Sequence, residues 1–218
     1  MKRKTFVRSI AAIAATGLVP FAAQAQFGGM LGGGKGGGVS PDAVEKHMRD
    51  YFAGINRMNR LLGEALKLNE LAQSAQEKAE CTQSGSCGLK DGASLAKGHS
   101  DEITKKVKER QAAGEKMTEE EGVKAMRSWE GFGKAVLSAK NAITDGKNMD
   151  KGMKALAILP VLPDIPQSII AAFNSAKALI DYMRFSGIKS DDLVKSLTSA
   201  SSELSSVVPG LPTDFGKS

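Results

Sequence analysis

The stretch ALAILPVLPDIPQSIIAAFNSAKALIDYM, residues 155–183, decides the fold of this chain. It is strongly apolar and carries three prolines between residues 160 and 166. Because a proline fixes its own φ, lacks a backbone N–H and restricts the residue before it, a continuous helix cannot cross these positions. The sequence therefore predicts a rigid corner over Pro160–Pro166, from which Asp164–Met183 runs as the central helix of a small bundle.

The predicted central helix has a broad apolar face. Apolar side chains recur along it at alternating spacings of four and three, and others flank them: Ile165, Ile169, Ile170, Ala172, Phe173, Ala176, Leu179, Ile180 and Met183. A face of this breadth implies burial against more than one neighbouring helix. The uncharged runs around the corner are far shorter than the roughly 20 residues that cross a bilayer, so we expect no transmembrane span in the mature chain.

Two other stretches have the same four-three spacing and are predicted to pack on this helix. One runs from Val44 to Ala65 behind an N-terminal cap at Ser40, and the other from Ala125 to Ile143 behind the capping box Thr118–Glu121. A thinner stripe over Leu89–Ala113 indicates a more exposed helix. Aromatic residues, which strands favour, make up only 5 % of the chain. These patterns predict an all-α fold, an irregular antiparallel bundle of about four to six helices.

Cys81 and Cys87 are the two cysteines of the chain and flank a polar Ser-Gly turn. In an exported protein, this pair is predicted to form a disulfide that closes one small loop between two helices. A redox function is less well supported, because active dithiols typically use Cys-x-x-Cys at a helix start, which lowers the thiol pKa. A zinc site would need a second pair of ligands nearby, and the sequence offers none.

The N-terminal residues are predicted to lie outside the folded domain. Basic residues at positions 2–8, an apolar run and the small residues Ala23 and Ala25 form the pattern of a cleaved secretory signal over residues 1–25. Residues 26–39 hold too much glycine to pack a core, so we interpret them as a flexible segment, or else as one that orders against a partner or membrane. We expect the mature protein in the bacterial periplasm or outside the cell.

Residues 40–206 are predicted to form a single helical domain, followed by an extended C-terminal tail over residues 207–218. The whole chain has a net charge of +6, but without the predicted signal it holds 26 basic and 24 acidic residues. The most charged region, Lys97–Lys124, mixes both signs evenly, as a solvated helix surface does. Because nucleic-acid binders concentrate positive charge on one face, this distribution argues against nucleic acid as a partner.

We find no constellation of residues that indicates catalysis, a metal site or a cofactor. The two histidines, His47 and His99, have no histidine or carboxylate partner four residues away and are interpreted as surface or boundary residues. Glu119, Glu120 and Glu121 are explained by the positive end of a helix dipole, which favours acidic residues in the first turn. The sequence therefore predicts a protein that is not an enzyme and holds no metal or cofactor.

The leading functional hypothesis is a non-catalytic exported protein that binds another macromolecule in the bacterial cell envelope. It would act as a scaffold, an adaptor or a chaperone-like accessory. The proline corner is the one apolar feature that the predicted helices need not cover. We therefore expect Val161, Leu162 and Ile165 to form an exposed patch that contacts the partner.

The alternative hypothesis is a carrier that binds an apolar small molecule, such as a lipid or a quinone, between its helices. The widest apolar seams would then enclose a cavity. Its lining would consist of Trp129, Phe132, Gly133, Phe173 and Ile180. An enclosed apolar pocket would favour the carrier, whereas an exposed apolar patch would favour the protein that binds a macromolecule.

Overall fold

The structure is a computed structural model that describes residues 38–216 of the 218-residue chain. The predicted signal peptide and nearly all of the predicted glycine-rich segment lie outside the described residues. Residues 38–216 form eight helices, and their β-structure is one isolated bridge between Val39 and Met149. The helices are α1 (Pro41–Ala65), α2 (Asn69–Ser84), α3 (Leu89–Ala112), α4 (Glu119–Arg127), α5 (Phe132–Lys147), α6 (Met153–Ile158), α7 (Asp164–Phe185) and α8 (Asp191–Leu204).

The predicted all-α class is confirmed. Six of the eight helices have 14 residues or more, which lies within the predicted range of about four to six helices. The other two, α4 and α6, have nine and six residues. Both are fragments that arise where glycines or prolines interrupt an apolar pattern, so short breaks in the seams account for the larger total.

Helix α1 begins where its capping residues predict and has the largest number of helical neighbours. The backbone N–H of Asp42 donates to the Ser40 hydroxyl over 3.3 Å, and Pro41 occupies the first helical position. From there α1 packs against α2, α3, α4, α5 and α6. Its buried residues include two asparagines, Asn56 and Asn59, as well as apolar side chains, because a helix with neighbours on several sides buries more than one stripe.

Helix α7 is buried along most of its length, as its broad apolar face predicts, but its main neighbour is α3. Helix α3 is nevertheless more exposed than α1 and α7, as predicted: eight of its 24 residues are buried, against 12 of 25 in α1 and 13 of 22 in α7. Small buried residues, Ala93 and Ala96, extend the thin stripe that includes Ile103. Side chains also tie α7 to α1, since the Tyr51 hydroxyl lies 2.5 Å from the Ser168 hydroxyl in the core. The centre of the bundle is therefore shared between α1 and α7.

The second predicted seam is divided into two helices. Its start is as predicted: the Glu121 N–H donates to Thr118 Oγ1 over 3.2 Å, and the Thr118 N–H donates to Glu121 Oε2 over 3.0 Å. Helix α4 then ends at Arg127, and a turn separates it from α5. The turn ends at Gly131, one of two glycines that weaken helix formation here. The break leaves Trp129 buried in the turn.

The C-terminal residues pack onto the bundle, which corrects the expectation that they leave the fold as a tail. Val208, Leu211 and Phe215 are buried, although residues 211–216 have no regular secondary structure. The Arg184 guanidinium donates to the carbonyl oxygens of Phe215 and Gly216 over 3.0 and 2.6 Å. Prolines and glycines prevent a helix in this segment, but they do not prevent its apolar side chains from reaching the core.

The predicted disulfide joins Cys81, in the last turns of α2, to Cys87, just before α3. The chain turns between them at Gly85, which has a positive φ of 78° that favours glycine. Arg49 of α1 donates to the carbonyl oxygens of Thr82 and Cys87 over 3.3 and 3.2 Å. The disulfide thus closes the loop, and Arg49 holds the loop against α1.

Replacing both cysteines, Cys81→Ser with Cys87→Ser, should lower the free energy of unfolding by about 2 kcal/mol, because the unfolded chain regains the entropy that a short closed loop loses. Urea unfolding followed by circular dichroism measures this difference. The exposed loop variant Ser86→Ala is the control and should change stability by less than about 0.5 kcal/mol. Equal stability of the control and the double variant would show that the disulfide contributes nothing.

Helices α1 and α5 approach closely at Gly54. A Cβ atom added to Gly54 would lie 2.9 Å from the Cβ of Ala135, closer than real Cβ atoms approach other heavy atoms. Gly98, in the middle of α3, has open space where its Cβ would lie. Replacement by alanine would therefore cause a steric conflict at Gly54 but not at Gly98.

Gly54→Ala should destabilise the protein by about 1–3 kcal/mol, because the added methyl group forces α1 and α5 apart. Gly98→Ala should stabilise it by about 0.5–1 kcal/mol, since alanine favours an exposed helix interior over glycine. Thermal and urea unfolding of the two variants measure both effects. Changes of the same sign would contradict the close packing of α1 on α5.

Candidate functional surface

The residues predicted to form the partner patch are not exposed. Val161 is 4 % exposed, Ile165 is fully buried, and Leu162 is partly buried. Leu162 packs over Gly146 of α5, where an added Cβ would lie 2.8 Å from Leu162 Cδ1. Leu162 fits against α5 because residue 146 is a glycine, and the corner turns Val161 and Ile165 into the core. The prediction that Val161, Leu162 and Ile165 form an exposed patch is therefore wrong.

The exposed apolar surface lies one helix earlier, on α6. Met153 is 90 % exposed, Leu156 is 71 % exposed, and Leu159 at the end of the helix is 47 % exposed. Ala155 and Ile158, on the other side of α6, are buried. Apart from Lys154, the residues of α6 are apolar, and only one face of the helix is buried. We call the three residues Met153, Leu156 and Leu159 the α6 face.

Specific contacts hold α6 against the start of the described chain. The Val39 N–H donates to the Asn148 carbonyl over 2.8 Å, and the Asp150 N–H donates to the Val39 carbonyl over 2.9 Å. Lys154 of α6 forms an ion pair of 2.6 Å with Asp42 in the first turn of α1. These contacts anchor both the segment before α6 and α6 itself, so the α6 face belongs to a positioned element of the fold.

Other large apolar side chains are exposed singly. Among residues 38–216 these are Val123 of α4, Leu137 of α5 and Phe185 of α7, each between 40 and 43 % exposed. Isolated exposed apolar residues are normal in soluble proteins, whereas a cluster indicates an interaction surface. The α6 face brings together three residues within seven positions, so it is the stronger candidate for a contact surface.

The residues predicted to line an apolar ligand cavity lie in the core. Trp129 packs edge-on to Phe132 with ring centroids 4.9 Å apart, and Phe132 packs in the same way on Phe173 at 5.4 Å. Phe215 of the C-terminal segment continues the row at 5.9 Å from Phe173. Ile180 is fully buried. The aromatic rings therefore fill the space beside one another, and Phe215 occupies a position that the sequence did not predict.

Gly133, the remaining predicted lining residue, is only partly buried and follows the first residue of α5. The two clefts with volumes of about 460 and 390 Å³ are lined by other residues. The aromatic residues of the predicted lining thus contact one another, and none of them lines either of these two clefts.

A buried polar network joins α1, α2 and α3. The Nδ1–H of His99 donates to Asn56 Oδ1, and its Nε2 accepts from the Ser74 hydroxyl, both over 3.1 Å. Beside it, Asn59 Oδ1 accepts a hydrogen bond of 3.1 Å from the Ser100 hydroxyl. Each amide also donates to carbonyl oxygens of α3, which satisfies the buried polar groups.

His99 is 5 % exposed, which corrects the expectation that both histidines lie at the surface or boundary. His47 is partly exposed, 3.7 Å from the Asp145 carboxylate. Burial lowers the pKa of His99 below its ordinary value of 6.5; the negative charge of Glu102 opposes this shift and the positive charge of Lys78 reinforces it. His99 is therefore neutral in the folded protein and serves the packing of three helices.

Within residues 38–216, no group of three or more histidine, cysteine or acidic side chains is placed to hold a metal ion. In the same range, no helix is long and apolar enough to cross a membrane. The geometry defines an all-α protein with an intact disulfide, a packed aromatic core and an exposed α6 face. No known protein family, curated protein or solved structure matches the chain.

The exposure of the α6 face was not predicted from the sequence. Its residues stand at positions 153, 156 and 159, three residues apart. The signal that could have revealed the face is the large share of apolar residues in so short a helix, of which only Ala155 and Ile158 are buried.

Acidification should destabilise the fold through His99. Because the folded protein binds this proton less readily than the unfolded chain, stability is lost as the pH falls from about 6.5 toward the lowered pKa. His99→Asn, which retains an N–H donor, should remove this fall in the free energy of unfolding between about pH 7 and pH 5. Urea unfolding at several pH values measures the slope.

The matched control is His47→Asn, which leaves the buried network intact and should keep the pH dependence that His99 produces. Variants are compared by the change of stability with pH, so a uniform loss of stability in His99→Asn does not affect the result. A His99→Asn protein with the same pH slope as the unchanged protein would contradict a neutral, buried His99.

Proposed function

We propose that this protein is an exported, non-catalytic helical protein that binds a protein partner in the bacterial cell envelope, as a scaffold, an adaptor or a chaperone-like accessory. The observation that carries the proposal is the exposure of Met153, Leu156 and Leu159 on a helix that is held in place. Water covers these side chains in the isolated protein, and a partner that covers them instead removes their apolar surface from water.

The size of the α6 face indicates how much it would contribute to the binding of a protein partner. Burial of one exposed aliphatic side chain is worth about 1.5–3 kcal/mol, and a few such residues dominate the energy of most interfaces. Stable interfaces bury about 800 Å² on each partner, which is more than a six-residue helix offers. The α6 face would therefore be the apolar centre of a larger contact, with surrounding polar residues at its rim.

The proposed location rests on two features. The pattern of residues 1–25 is that of a secretory signal with cleavage near Ala25. The Cys81–Cys87 disulfide requires an oxidising compartment to persist, such as the bacterial periplasm or the outside of the cell. Both features support an exported protein.

The alternative function, carriage of an apolar small molecule, has less support than partner binding. The rings of Trp129, Phe132 and Phe173 contact one another where that hypothesis expects a ligand. An exposed apolar surface is the feature that distinguishes the two hypotheses, and the α6 face provides it.

Site-specific photocrosslinking in the producing cells tests the proposal. A photoreactive side chain at position 156 should give a discrete protein adduct, because Leu156 lies in the centre of the α6 face. The same side chain at position 137 is the matched control, since Leu137 is an exposed leucine on α5. Adding Met153→Glu should reduce the adduct at position 156 by about tenfold, because the contact would bury an unpaired carboxylate.

The photoreactive residue at position 156 and Met153→Glu both replace exposed side chains. Each should change the free energy of unfolding by no more than about 0.5 kcal/mol, which thermal unfolding verifies. Identical adducts from positions 156 and 137 would contradict binding through the α6 face, and so would a Met153→Glu protein that crosslinks as strongly as before. Native mass spectrometry without detergent then examines the alternative: a co-purifying lipid or quinone mass, with no adduct at position 156, would favour the carrier.

A further inference from the structure

A cleft of about 460 Å³ lies between α1, the end of α2 and the turn that joins α4 to α5. Gly54, Met58 and Ala135 give it an apolar base, and the last two are almost fully buried. Ligand sites in proteins range from roughly 300 to 1,000 Å³ and combine such a base with a few polar groups. The cleft shares no residue with the α6 face, so it is a separate feature of the surface.

In one wall of the cleft, the acidic lining residue Asp50 is paired with Lys46, and a chain of hydrogen bonds leads from it to Arg57. Lys46 Nζ lies 2.8 Å from Asp50 Oδ2, and Gln83 Nε2 donates to Asp50 Oδ1 over 3.1 Å. Gln83 Oε1 then accepts a hydrogen bond of 3.2 Å from Arg57 Nη2. Arg57 is held by a neutral amide, which leaves its charge uncompensated and its other donors available.

Two further cations line the cleft. Arg60, one turn along α1 from Arg57, is paired with Glu64 at 2.9 Å. Lys134 lines the cleft from α5. Within residues 38–216, no carboxylate oxygen lies within the 4.0 Å of an ion pair from either Arg57 or Lys134. The lining therefore carries two positive charges that no acidic side chain balances.

Helix α5 adds the partial positive charge of its N-terminus. Gly131, the residue before the first residue of α5, lines the cleft, and the helix has no side-chain cap. The Phe132 N–H donates to the Trp129 carbonyl oxygen over 3.0 Å, whereas the N–H groups of Gly133 and Lys134 have no hydrogen-bond partner within residues 38–216. Such N–H groups bind anions because they lack partners within the helix. Arg57 of α1 and Lys134 of α5 line the same cleft as Gly131.

We propose that this cleft binds a phosphate group, held by the side chains of Arg57 and Lys134 with the backbone N–H groups of Gly133 and Lys134. A guanidinium can donate two parallel hydrogen bonds to phosphate, and an ammonium adds a compact charge. The phosphate belongs either to the free ion or to the headgroup of a lipid, whose apolar part would lie over Met58 and Ala135. Both sources use the same anion chemistry, and the experiment separates them.

Titration of the full mature protein with inorganic phosphate, at constant ionic strength in chloride, tests the site by NMR. The amide signals of Gly131 and Gly133 should shift in a saturable way. Arg57→Gln and Lys134→Gln should each weaken binding by about tenfold, as expected for the loss of one charge-assisted hydrogen-bonding group. Arg57→Lys should weaken it less, because it keeps the charge and loses only the paired geometry.

The matched control is Lys108→Gln, which removes an exposed lysine from α3, outside the cleft. It should leave phosphate binding unchanged, whereas a general effect of net charge would weaken binding equally in all variants. Arg57 and Lys134 are exposed, so their variants should unfold at the temperature of the unchanged protein. A Lys108→Gln effect equal to that of Lys134→Gln would overturn the proposal.

A parallel titration with dihexanoyl phosphatidic acid, below its micelle concentration, identifies the source of the phosphate. Tighter binding than inorganic phosphate, with shifts of the Met58 methyl signal, assigns the site to a lipid headgroup. Equal affinity without Met58 shifts assigns it to the free ion. The absence of a saturable shift at Gly131 with either probe would overturn the proposal.

Discussion

The burial of α1 on several sides at once is the constraint on which the rest of the structure depends. Apolar contacts alone would not fix the position of one helix against five others. Different types of residue on α1 therefore contact different neighbours. Gly54 allows α5 to come close, Asn56 and Asn59 bind carbonyl oxygens of α3, and Arg49 holds the disulfide loop. The buried amides fix the register of α1 on α3, because a shift would leave them without partners.

The proline corner has its main effect on the element before it. Since no helix can run from α5 into α7, the chain crosses the gap with the short helix α6 and a turn. The turn residues Val161 and Leu162 reach the core, and α6 supplies two more buried side chains. The remaining apolar residues of α6 have no interior left to enter. Exposure of the α6 face thus follows from the geometry of the connection.

The local features of the fold were predictable from the sequence. Helix starts at Ser40 and Thr118 and the disulfide loop all depend on residues within a few positions of one another. The positions of side chains relative to distant elements were not. Leu162 was expected outside because nothing local indicates that Gly146 receives it, and His99 was expected near the surface because its partners Asn56 and Ser74 are 43 and 25 residues away.

The sequence by itself determined the all-α class, the starts of α1, α4 and α7 and the pairing of the two cysteines, since capping, apolar periodicity and loop closure act over short distances along the chain. Only the tertiary structure decided which apolar surface stays exposed, which polar residues are buried and where the cations gather. Those outcomes depend on which helices meet. An apolar residue is core or surface according to the space that its neighbours leave, and a pattern read along one helix does not contain that space.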